Sequence, residues 1–145
     1  MSGFDRSRAF AVQPADVEAL TPWLRPFLER FEAETALVTA NDVLEQAKRA
    51  DAQLWSYHDG EKFRGVVATR IHKTAAGRFC NLWVCVGMDA DELLDGMLEE
   101  IETWARSIGC HALEVIGRAG WFRKLASRGF EKKAVVLEKR LAEVH

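Results

Sequence analysis

The side chains able to act as bases, nucleophiles or acids are few and scattered. His72 stands near the end of a strand-like run, where an imidazole could serve as a base. Its neighbours Arg70 and Lys73 carry the competing reading, a solvated strand end. His111 opens a strand directly after Gly109-Cys110 and reads as a helix-end contact; His58 in a turn and His145 at the terminus read as solvated. Cys80 and Cys85 stand an odd number of positions apart in one strand, so alternation sends them to opposite faces. Neither has a histidine beside it in sequence, and both read as small buried hydrophobes rather than nucleophiles. Tyr57 is the single tyrosine. No CxxC pair or Cys/His cluster has the spacing of a structural metal site, so no metal is expected.

The bulk properties bound what these groups can serve. A chain of 145 residues, 48% hydrophobic, is the size of one compact domain, here residues 1–145. Twenty Lys and Arg against 22 Asp and Glu give a net charge of -2, which argues against a nucleic-acid protein of globally basic type. Three cysteines without framework spacing read as reduced thiols of a cytosolic-type compartment. Met1-Ser2-Gly3-Phe4-Asp5-Arg6 lacks an apolar signal core, and no apolar run approaches the ~20 residues of a membrane helix. A protein that is not secreted and meets no membrane is the expectation.

The elements that must position these residues follow from periodicity. Arg8–Val12 reads as a short strand. Pro14-Ala15-Asp16 opens a helix carrying Val17, Leu20, Leu24, Phe27, Leu28 and Phe31 at helical spacing; Pro22 and Pro26 predict a kink or two shorter helices. A second helix is expected from about Val43 to Ala50, capped by Asn41 or Asp42. Gln53–Tyr57, Lys62–His72 and Arg78–Val86 read as an antiparallel meander, with Asp59-Gly60 and Ala75-Ala76-Gly77 as turns. Asp89 and Glu92 form a capping box before a helix whose apolar stripe runs Leu93, Leu94, Met97, Leu98, Ile101, Trp104, Ala105 and Ile108, stopped by Gly109. A strand over Ala112–Ile116, a short helix over Trp121–Arg128 ended by Gly129, and a last strand over Ala134–Leu141 complete the order.

That order, with Met97–Cys110, Leu113-Glu114-Val115 and Leu125-Ala126-Ser127-Arg128-Gly129-Phe130, resembles the GNAT superfamily of acyl-CoA N-acyltransferases. The resemblance implies an α/β (α+β) fold: a GNAT-like mixed, mostly antiparallel sheet with helices on both faces. Leu54-Trp55, Ile116–Trp121 and Val136–Leu141 further resemble GNAT-like proteins of tailed phages and prophages, which implies a phage setting.

The departures from the family pattern bear on activity. Members hold the CoA pyrophosphate on backbone N–H groups at the start of the long helix, with the motif Gln/Arg-x-x-Gly-x-Gly/Ala; glycine lets the backbone approach, and the helix dipole favours the anion. Counting back from Gly109 puts this motif on Asp89–Leu94, with Asp89 for the Gln/Arg and Glu92 and Leu94 for the glycines. A carboxylate ~5 Å from a phosphate charge costs roughly 3 kcal/mol at an effective dielectric of ~20. Many members carry a Tyr shortly before the Gly-Phe element as general acid; the matching position here is Leu125, and the strand Arg78–Val86 offers no carboxylate as a base.

The resemblance with these departures implies a degenerate acyl-CoA loop at Asp89, Glu92 and Leu94, no bound cofactor, and no assigned catalytic residue. The expected role is non-catalytic, through protein–protein contacts in a phage virion or its assembly, with a cytoplasmic or virion location. Two alternatives stay open: an N-acetyltransferase using acetyl-CoA through an atypical site, and a regulatory module binding a small ligand in the relic cleft. Contact candidates are Arg118, Trp121, Arg123 and Lys124; Trp121 reads either as an exposed anchor or as a core residue. Acids crowd Asp89–Glu102 and bases crowd Gly117–Leu141, as two solvated faces, as complementary surfaces for self-association, or as a basic face for another protein subunit.

Overall fold

A computed structural model describes residues 7–117 and 119–142. It divides into two compact units, one ending at Val115 and one beginning at Ile116.

The first unit is a five-stranded mixed sheet in the order β1-β2-β3-β4-β5. β1 (Ser7–Val12), β2 (Gln53–Asp59), β3 (Lys62–Thr74) and β4 (Gly77–Gly87) pair antiparallel in sequence order. β5 (Ala112–Val115) pairs parallel to β4, reached through the crossover helix α3 (Ala90–Ser107). The opposite face carries α1 (Val17–Thr35) and α2 (Ala40–Lys48).

Alternation along the strands splits the core in two. Leu54, Val66, Ala68, Val84 and Val86 pack with Val17, Leu24, Leu28, Val43 and Leu44 of α1 and α2. Leu24 and Leu28 are fully buried, and burial of each contributes about 1.5–3 kcal/mol. Trp55 and Tyr57 point the other way, to α3. Trp55 meets Trp104 edge-on at 5.4 Å, and its indole N–H donates to Thr69 Oγ1 (3.2 Å), which donates on to Gln53 Oε1 (2.9 Å). That relay satisfies the polar atoms of a buried Trp–Thr pair.

Four sequence expectations are corrected. α1 is one continuous helix, not two shorter ones, entered through a 3-10 turn at Pro14–Asp16; Pro22 and Pro26 lie on its exposed side, where the backbone bonds they forgo can be made to water. α2 begins at Ala40, capped by Thr39, whose hydroxyl accepts the Asp42 N–H, while Glu32 takes the Ala40 N–H at 2.7 Å. Asn41 instead accepts a hydrogen bond from Arg25. Cys80 and Cys85 share a face: the register moves from Ala68↔Val84 to Thr69↔Leu82, so Trp83 is an extra, bulged residue that reverses the alternation. Residues 134–141 form no strand; among the described residues of the second unit only α4 (Ala119–Ala126) is regular, followed by Gly129 in the left-handed region at φ 89°.

Candidate functional site

The junction of β4 and α3 is built by a second bulge. β2 and β3 pair as Tyr57↔Gly65 and then His58↔Phe63, leaving Arg64 as the additional residue of β3. The Arg64 carbonyl continues the β3–β4 ladder one step past Gly65↔Gly87 and accepts the Met88 N–H at 2.9 Å. Its side chain spans to the first turn of α3, where Nε and Nη2 donate to Glu92 Oε1 and Oε2 at 3.1 and 2.7 Å. The geometry is a bidentate guanidinium–carboxylate fork, with both side chains about a third exposed. The hydrogen bond to Glu92 raises the already high pKa of Arg64, and the charges of Glu92, Asp59 and Asp89 add to it. From the other side Arg30 donates to the Gly87 carbonyl at 2.6 Å.

Asp89 caps α3 as its sequence predicts. Its Oδ1 accepts the Glu92 N–H at 2.9 Å, and its carbonyl takes the Leu93 N–H at 3.0 Å. Leu93 is driven into a notch made by two glycines: a Cβ on Gly65 would stand 2.6 Å from Leu93 Cδ1, and one on Gly87 would stand 3.3 Å from Leu93 Cβ. Leu94 is buried and belongs to the core-facing stripe of the helix. The first turn of α3 therefore presents the acidic groups Asp89, Asp91 and Glu92, one of them clamped by an arginine, and no glycine.

The dispersed candidates settle into packing roles. His72 Nε2 lies 3.2 Å from Glu114 Oε1, and its ring stacks on Phe79. His111 meets Phe79 edge-on at 4.5 Å and covers Gly77, where a Cβ would stand 2.1 Å from the imidazole. The helix-end contact assigned to His111 is made by Arg78, which donates to the Ile108 carbonyl. His58 lies within β2 rather than in a turn; it is half-buried between Phe10 and Phe63, hydrogen-bonded to Ser56 Oγ at 2.8 Å, and burial lowers its pKa. Burial pushes the Cys80 and Cys85 thiols up to about 12, so neither is a thiolate at neutral pH. Tyr57 is buried against α3, with its ring where a Cβ on Gly96 would fall, at 2.1 Å.

In the second unit, Leu125 is buried, Trp121 and Lys124 are half-buried, and Phe122 and Arg123 are exposed. Lys132 lies over the Phe122 ring at 5.6 Å. Arg118 and His145 lie outside the described residues. Among the described residues no group of three His, Cys, Asp or Glu is placed to hold a metal ion, and no helix is long and apolar enough to cross a membrane.

No protein-family model matches the chain, and no curated protein matches it in sequence. Solved structures do match. An aminoglycoside acetyltransferase from an uncultured soil metagenomic sample superposes with a TM-score of 0.71 at 10% identity, covering 94% of this chain and 99% of that one. A predicted acetyltransferase from Clostridium acetobutylicum, solved with acetyl-CoA, gives 0.67 at 12% identity over 92% and 96% of the two chains. Glucosamine-6-phosphate N-acetyltransferase from Arabidopsis thaliana gives 0.66 at 14% identity over 94% and 99%. The fold is that of the GNAT-type acetyltransferases.

Proposed function

We propose that this chain is a GNAT-fold protein with a degenerate acyl-CoA site, non-catalytic, acting through contacts with other protein subunits in a phage virion or its assembly. The observation that carries the reading is Glu92. It occupies a position that the family pattern gives to glycine, and Arg64 holds its carboxylate at the first turn of α3. A diphosphate approaching that turn would meet Asp89, Asp91 and Glu92 at the helix end that elsewhere attracts anions. These residues do not fit the group. The position of the usual general-acid Tyr is Leu125, a buried aliphatic side chain with no proton to give.

The phage setting rests on the likeness of Leu54-Trp55, Ile116–Trp121 and Val136–Leu141 to phage-encoded relatives, and it carries the cytoplasmic or virion location with it. Arg118, Trp121, Arg123 and Lys124 are the proposed contact residues; the exposure of Arg123 and of its neighbour Phe122 supports a surface role for this helix.

The second reading, an N-acetyltransferase using acetyl-CoA through an atypical site, is favoured by one observation. Arg64 already places a guanidinium beside the helix start and could exchange Glu92 for a phosphate. Calorimetric titration of the full chain with acetyl-CoA separates the two. The first expects no saturable heat across the micromolar range, and saturable micromolar binding overturns it in favour of the second.

A further inference from the structure

The α1/α2 face of the sheet changes character partway along. Val66, Ala68, Val84 and Val86 belong to the core beneath the two helices. One step further, register aligns three polar residues across three strands: Arg70 of β3 opposite Asn81 of β4, and Asn81 opposite Glu114 of β5. Residues opposite one another share a face, and Arg70 stands two positions from Ala68, so the row lies on the α1/α2 side. All three residues are partly exposed. The row stands one pair before the β4–β5 ladder ends at Leu82↔Val115.

Two members of the row are unengaged. The Arg70 guanidinium lies over the Trp83 ring, 3.8 Å from its centroid, and makes no ion pair or hydrogen bond with any described residue. The other arginines of β3 and β4 are committed, Arg64 to Glu92 and Arg78 to the Ile108 carbonyl. The Asn81 amide also has no hydrogen-bond partner among the described residues. No unpartnered side-chain polar atom among them is buried, so the donors of Arg70 and Asn81 are reachable from solvent. A guanidinium held on an indole face is positioned without using its N–H groups. Two of those groups side by side match the two oxygens of a carboxylate, and an amide one strand away supplies a further donor. The third member sets the charge. Glu114 does not pair with Arg70; its Oε1 lies 3.2 Å from His72 Nε2. It keeps an acid in the same row, two strand spacings or about 10 Å from the Arg70 backbone, and a dianion there meets twice the repulsion of a monoanion.

We infer that Arg70 and Asn81 form a binding site for the carboxylate of a small monoanionic organic acid, with Trp83 fixing the guanidinium and Glu114 selecting against dianions. The site lies on the face of the sheet opposite α3 and is independent of whether the start of that helix takes CoA.

The test titrates the full chain with benzoate and follows the NMR signals of the Trp83 indole N–H and the Asn81 side-chain amide. Both should shift saturably, with a dissociation constant below about 1 mM. Arg70→Met should weaken binding at least about tenfold while the rest of the spectrum stays in place, and Arg70→Lys, which keeps the charge but loses the fork, should recover only part of it. Phthalate and inorganic phosphate should bind the parent chain at least about tenfold more weakly than benzoate, and Glu114→Gln should narrow that gap. The comparison of benzoate with phthalate needs no variant, so it stands even where a substitution disturbs folding. No saturable shift up to about 10 mM benzoate, an affinity unchanged in Arg70→Met, or phthalate bound as tightly as benzoate would each overturn the site. Acetyl-CoA titration reads the start of α3, so the two proposals fail separately.

Discussion

Arg64 grips Glu92 with two parallel hydrogen bonds, of 3.1 and 2.7 Å, across the gap between β3 and the first turn of α3. Arg64 is the extra residue of β3 at its bulge against β2, and its carbonyl holds Met88 at the same time. One residue thus fixes both the entry to α3 and the Glu92 carboxylate at its first turn.

The first prediction concerns that acid. Glu92→Gly removes the carboxylate, leaves Arg64 free to meet an anion, and restores a glycine at the helix start. Weak binding of acetyl-CoA should appear where the parent chain shows none, a gain of at least about tenfold, as expected when an unfavourable charge of roughly 1.4 kcal/mol or more is lifted. Glu92→Gly combined with Arg64→Ala should lose it again. Calorimetry reads both, and no gain in the single variant would count against the assigned motif register.

The second concerns Gly96. The Tyr57 ring lies where a Cβ at this position would be, at 2.1 Å. Alanine normally favours a helix interior over glycine by about 1 kcal/mol. Here overpacking should reverse the sign and cost Gly96→Ala a net ~1–2 kcal/mol by urea denaturation. In a double-mutant cycle with Tyr57→Leu, the coupling should be of order 1 kcal/mol. A stabilised Gly96→Ala would mean that the ring is free to move aside.

The third is alkaline. Cys80 is fully buried and its thiol is pushed from 9.0 to about 12. The unfolded chain therefore releases this proton first as pH rises. Between about 9 and 12 the unfolded state binds fewer protons than the folded one, so stability is intact below 9 and falls above it, by up to about 1.4 kcal/mol per pH unit from this group. Cys80→Ala should flatten that slope relative to the parent in denaturant midpoints measured across this range. Parallel slopes in the two proteins would refute it.

Sequence carried the long helix well. Asp89, the apolar stripe and Gly109 each act within a few residues, so the cap, buried face and stop of α3 emerge where the local pattern puts them. The Asp59-Gly60 turn does the same for the β2–β3 hairpin. Two kinds of feature lay beyond local pattern. Bulges are decided by what the neighbouring strand and helix need, so the reversal at Trp83 and the extra residue at Arg64 had no clear marker. Gly65, inside a β-branched run, was the one available signal of close backbone approach, and Leu93 now fills the space it leaves. Helix ends without glycine were equally silent. α1 stops at Ala36 in the left-handed region at φ 53°, a conformation that an alanine gives no reason to expect. At the proposed site, spacing alone gave the expected register of Asp89, Glu92 and Leu94, whereas the arginine that holds Glu92 comes from the β2–β3 hairpin and could be found only in three dimensions.

The extra residue at Trp83 divides β4 into two reading frames. From Val84 onward, even numbers look toward α1 and α2; before the break, even numbers such as Cys80 and Leu82 look toward α3. A one-residue deletion there would exchange the two faces along half a strand, turning Leu82 away from α3 and Asn81 toward it. Length at this point is therefore held more tightly by the architecture than the identity of any side chain around it.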